Sequence, residues 1–112
     1  MYRNPNLYIP KTKGEVRDLL GSMMLTAPTL VDQTGYFSDR SIESEFLALN
    51  EGLKLIRRQL GEESYLEMTE LSGRMRAHFE ADPKDETGET SEGRKCILAM
   101  LEILQGASRR RR

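Results

Sequence analysis

Ile42, Phe46, Leu49, Leu53, Ile56 and Leu60 recur at alternating spacings of 4 and 3, the register of one continuous apolar stripe along a helix of about five turns. A helix with such a seam needs other elements to cover it, and three further segments carry the same period. Val16, Leu19, Leu20, Met23 and Met24 form one apolar face. Tyr65, Met68, Leu71, Met75 and Phe79 form a second, and Ile97, Met100, Leu101 and Leu104 a third. The pattern predicts an all-α chain, a compact bundle of four helices over about 13–27, 41–60, 63–82 and 91–105.

Start and stop signals bracket these segments. Thr12 and Glu15 have the spacing of a capping box, as do Ser64 and Glu67, and Asp39 or Ser41 is placed to cap the helix that carries the long stripe. Thr90 or Ser91 is placed to open the last helix. Pro28 and Pro83 interrupt helical hydrogen bonding, and Gly61 and Gly106 are placed as helix stops. The corner at Gly61 is short, so the helices it joins should lie antiparallel. Before the first helix, Pro5 and Pro10 flank Leu7, Tyr8 and Ile9, which predicts an extended arm lying against the body. Residues 28–40 form the longest loop, with a turn at Asp32, Gln33, Thr34 and Gly35. The expected organisation is one helical domain over 1–108 and a flexible basic tail over 109–112.

Composition narrows the function classes. Hydrophobic residues make up 38% of the chain and charged residues 31%, and the apolar ones cluster in periodic segments, as in a folded protein. One cysteine, Cys96, excludes an internal disulfide and a cysteine-rich zinc site. There is no run of about 18 apolar residues and no basic-then-apolar leader, so no membrane association and a cytoplasmic location are expected. The net charge of −1 includes Arg109 to Arg112; without these four cations, residues 1–108 carry 13 basic and 18 acidic side chains, a net of −5. An acidic body is unsuited to holding a nucleic-acid backbone, which leaves the arginine tail as the one candidate for that contact.

Candidate chemistry is sparse. His78, the single histidine, has Arg74 four residues before it and Asp82 four after it, the spacing of a surface ion pair on a helix. Cys96 reads as a small buried thiol, and its spacing from His78 and Asp82 gives no support to a nucleophile. Asp82, Asp85, Glu86, Glu89 and Glu92 offer hard oxygen ligands, but placing Gly88 sixth in a calcium loop puts Pro83 first, so the stretch reads as a solvated loop and no metal is expected. Gly88 and Gly93 have the spacing of a phosphate-binding loop, but Arg94 and Lys95 replace the lysine and hydroxyl residue. No apolar strand precedes them, and Glu89 and Glu92 would repel phosphate. No cofactor and no enzymatic activity are expected. Tyr36 and Phe37 stand side by side outside a regular element, where they either plug the bundle or anchor a partner.

Across residues 41–83 the chain presents a long helix ending LKLIRRQLG, a second beginning ESYLEMTELS, and a close at HFEADP. This order resembles the small helical immunity proteins with which bacteria neutralise toxins delivered by type VI secretion, in particular NAD-hydrolysing toxins. The resemblance implies a non-catalytic inhibitor that binds a toxin protein. Independently, a small acidic helical body without catalytic groups is suited to act by binding, covering a partner's working surface or matching a basic one. The candidate contacts are Tyr36 and Phe37, also readable as a plug of the bundle, and Glu43, Glu51, Glu63, Glu67, Glu70, Asp85 and Glu86, each also readable as part of a solvated face. The alternatives are a nucleic-acid-associated accessory protein using the arginine tail, and a homodimer in which helix faces pair between chains.

Overall fold

The computed structural model describes residues 8–31 and 41–109, with side chains placed through residue 106. Five helices follow in order: α1 (Lys13–Thr26), α2 (Ile42–Leu55), α3 (Arg57–Leu60), α4 (Glu62–Ala81) and α5 (Glu89–Arg109). No strand occurs among the described residues, as the periodicity predicts for an all-α chain.

The helix count differs by one from the four expected, because the helix over 41–60 divides at Ile56, whose φ of −102° and ψ of 12° lie outside the helical well. The seam survives the break. Ile56 N–H still reaches the Gly52 carbonyl at 3.1 Å, and Leu60 N–H reaches the Ile56 carbonyl at 3.0 Å, so the apolar stripe turns the corner with Ile56 fully buried.

Helix ends show how local chemistry sets these bounds. The Thr12 hydroxyl accepts the Glu15 N–H at 3.1 Å, but the Glu15 carboxylate accepts from Lys11 N–H, one residue upstream of the reciprocal bond a capping box would make. Ser41 caps α2, and Ser44 returns the bond from the position where glutamate is usual. Gly61, at φ +86°, both ends α3 and begins α4, a backbone turn that favours glycine. It starts α4 two residues before the expected Ser64 cap, and Ser64 lies buried inside the first turn. The last helix begins at Glu89 and runs through Gly106, which is not left-handed. It therefore includes Arg109, and residues 110–112 lie outside the described residues.

The helices pack antiparallel in pairs. Asn50 on α2 accepts a hydrogen bond from Ser72 on α4 at 2.9 Å, and Arg76 lies over the Phe46 ring one turn further on. α1 packs on α2 and α5, and α4 makes its largest contact with α5. Phe46, Leu49, Leu53, Met68, Met75, Phe79, Ile97 and Met100 are each at most 1% exposed, with Val16, Leu20 and Met23 joining them from α1; burying each side chain of this size contributes about 1.5–3 kcal/mol. The radius of gyration, 13.8 Å, matches the ~13 Å of a folded chain of about 100 residues.

Close approach depends on glycine at two contacts. A Cβ on Gly93 would stand 2.3 Å from Phe79 Cε1, and one on Gly52 would stand 2.6 Å from Pro10 Cγ. The second contact seats the end of the N-terminal arm, whose Pro10 is buried against α2. Past α1, Leu30 turns back at φ +59° and is fully buried, although the loop around it has no apolar period.

Candidate functional site

The α4–α5 corner holds two of the titratable groups that sequence alone associates with chemistry, Asp82 and His78, with Cys96 two turns into α5. Asp82 ends α4 and is 2% exposed. Its Oδ1 accepts the backbone N–H of Glu86 at 2.7 Å and of Thr87 at 3.1 Å. Its Oδ2 accepts the N–H of Thr90 at 3.1 Å and lies 3.0 Å from the Thr90 hydroxyl. Burial acts to raise the Asp82 pKa, but the three backbone donors and the hydroxyl outweigh it and hold the carboxyl at about 2. The stretch read as a merely solvated acidic loop is therefore wound around one buried carboxylate, which also supplies the cap that lets α5 start at Glu89.

With Asp82 occupied, His78 pairs elsewhere. Its Nδ1 lies 2.6 Å from Glu89 Oε1, a bond from α4 to the first turn of α5 rather than the i to i+4 pairing with Asp82. Cys96 is 8% exposed, and burial, helped by Glu92 and opposed by Arg74, pushes its thiol above the ordinary range, the direction of an unreactive sulfur. No group of three or more histidine, cysteine or acidic side chains among the described residues is arranged to hold a metal ion. No helix among them is long and apolar enough to cross a membrane.

The candidate contact carboxylates separate into four groups. Glu51 pairs with Lys54 at 3.1 Å and Glu70 with Arg74 at 2.8 Å, along their own helices. Asp85 and Glu86 belong to the Asp82 corner, at the opposite end of α4 from Glu63 and Glu67 and separated from them by roughly 20–30 Å of helix. Glu43 stands exposed in the first turn of α2, where the helix dipole favours it. Tyr36 and Phe37 lie outside the described residues.

Glu63 and Glu67 remain, one turn apart on the exposed side of α4, and neither forms an ion pair among the described residues. Glu67 lines a shallow groove of about 240 Å³ between the start of α4 and the end of α5, with Ser64, Ile103, Gly106 and Glu102. Glu102 faces this groove from α5, also without an ion pair among the described residues. Sequence reasoning missed it. Its signal was present but faint, as the lone acid in the second half of α5 outside the stripe of Ile97, Met100, Leu101 and Leu104.

The arrangement differs from the neighbouring surface. Glu62 is bound by Arg57, which stacks on the Tyr65 ring at 4.4 Å, Glu80 by Arg76 and Glu92 by Lys95. Two carboxylates from separate helices line one polar groove, and neither is in an ion pair among the described residues, a lining suited to a cationic side chain from outside. The chain matches no protein-family model, no curated protein and no solved structure.

Proposed function

We propose that this chain works without catalysis by binding a protein, as an immunity-type inhibitor that covers the working surface of a bacterial toxin. The observation that carries the reading is the groove lined by Glu67 of α4 and Glu102 of α5, neither in an ion pair among the described residues, with Glu63 one turn away. Exposed carboxylates on a rigid scaffold can match a basic patch on a partner and steer its approach. The engagement of Asp82 by backbone amides, of His78 by Glu89 and of Cys96 in the core supports the same reading.

The test is co-expression with the product of the adjacent gene. The reading expects a stable one-to-one complex, protection of cells from that product's toxicity, and loss of both in the Glu67→Lys/Glu102→Lys double variant at unchanged thermal stability. A neighbour that forms no complex, or protection that persists in the double variant, overturns it.

A further inference from the structure

A second groove runs along the opposite flank of α5, between that helix and α1, with a volume of about 590 Å³. Leu101 and Leu104 form its floor, and Gly14 and Gly21 of α1 form a wall with no side chains. A Cβ on Gly21 would meet nothing within 4 Å, so the α1 backbone is open to close approach by another element. Between the glycines stands Arg17, exposed and in no ion pair among the described residues. Lys13 lines the groove one turn earlier, and none of the described lining residues is a carboxylate.

The apolar character continues beyond the groove's end. Leu98, 54% exposed, lies one turn before Leu101, and Leu25, 85% exposed, lies one turn after Gly21. From Gly14 to Leu25 the surface is about 16 Å long, three helical turns. We infer that this groove receives an amphipathic helix of a partner protein, its apolar residues on the leucines of α5 and its carboxylates facing Arg17.

Two antiparallel helices with a glycine-lined cleft between them accept a third at ordinary helix-packing distance, reading it through anchors at 3–4 spacing. The sign of the rim selects an acidic flank. The chain's own Arg109–Arg112 end carries the wrong sign to fill the site. The inference stands apart from the acidic groove, which α5 lines with Glu102, Ile103 and Gly106 rather than with Leu101, Leu104 and Gln105.

The probe is a displayed library of helical peptides of about 15 residues, some 22 Å long, with leucines fixed at 3–4 spacing and the flanking positions randomised. It is selected on the full chain, and enriched peptides are measured by fluorescence anisotropy. Enrichment of aspartate and glutamate on one flank is expected, with affinity falling about tenfold or more in Gly21→Leu, which fills the groove, and in Arg17→Glu, which reverses its rim. Both variants should melt no lower than the parent, since leucine gains helix propensity at an unobstructed position and Arg17 bonds to nothing described. Peptides that bind Gly21→Leu equally well, show no acidic preference, or fail to enrich at all overturn the inference. So does light scattering that shows a dimer of the chain alone dispersed by Gly21→Leu, which would give the groove to a second copy.

Discussion

Replacing Gly93 with alanine sets two known effects against each other at one residue. Alanine in a helix interior is worth about 1 kcal/mol over glycine, so in open space the change stabilises. At position 93 the new methyl would lie 2.3, 2.7 and 2.9 Å from Cε1, Cδ1 and Cζ of Phe79, while ordinary carbon contacts lie near 3.5–4.0 Å. The Phe79 ring is 1% exposed and cannot swing into solvent, so α5 must move away from α4 or the ring must leave its rotamer. Overpacking of this kind costs about 1–3 kcal/mol. With three ring carbons inside 3 Å the upper part of that range applies, and after the propensity gain we expect Gly93→Ala to lose about 1–2 kcal/mol. Gly73→Ala on α4, where a Cβ meets nothing within 4 Å, is the control and should gain up to about 1 kcal/mol. Urea unfolding followed by far-ultraviolet circular dichroism reads both as shifts in midpoint at constant slope. Phe79→Leu removes the obstruction, so the Phe79→Leu/Gly93→Ala double variant should be more stable than the sum of its parts by about 1 kcal/mol or more. A Gly93→Ala protein as stable as the parent, or an additive double variant, would refute the close-packing argument.

Three further outcomes follow from other contacts. Asp82 has its pKa depressed from 3.8 to about 2, so the unfolded chain binds the extra proton between those values; this contribution is full above about pH 4 and disappears as pH falls toward 2. Asp82→Asn should therefore melt lower than the parent at neutral pH and show a flatter melting temperature across pH 2–5; an unchanged slope would contradict the hydrogen-bonding argument. Gly52→Ala would bring a methyl 3.1 Å from the Pro10 carbonyl oxygen as well as against its ring, lifting the arm, and hydrogen exchange should quicken at the Lys11 amide held by Glu15. Arg94 donates to the Met24 carbonyl at 3.3 Å and approaches that of Ala27 at 3.5 Å, so Arg94→Ala should cost about 0.5–1 kcal/mol and speed exchange in the last turn of α1.

The parts of the fold that depend on period were legible in the chain. The stripe from Ile42 to Leu60 is core along its length, and the faces at Val16, Met68 and Ile97 cover it, because a 3–4 spacing leaves a helix one way to bury its apolar side. Features created by two segments meeting were not legible. The break at Ile56 leaves the hydrophobic pattern unchanged, and Leu30 is buried through a left-handed turn rather than a repeat. Asp82 looked like one acid among five, since its role depends on backbone amides that assemble around it only when the corner folds. The acidic groove was half visible: Glu63 and Glu67 follow from their exposed positions on α4, but Glu102 joins them only through the pairing of α4 with α5.

The Asp82 corner also bears on the order in which the chain can assemble during synthesis. Its bonds all lie within eight residues of the aspartate, so α4 and α5 can close on each other with little loop entropy to overcome. The Arg94 contacts that end α1 span 70 and 67 residues. A ribosome releases α1 well before its α5 partner, so among the described helices the apolar face at Val16, Leu20 and Met23 leans on α2 until α5 emerges. Slowing translation between α4 and α5 would prolong the interval in which that face is open to chaperones or to aggregation.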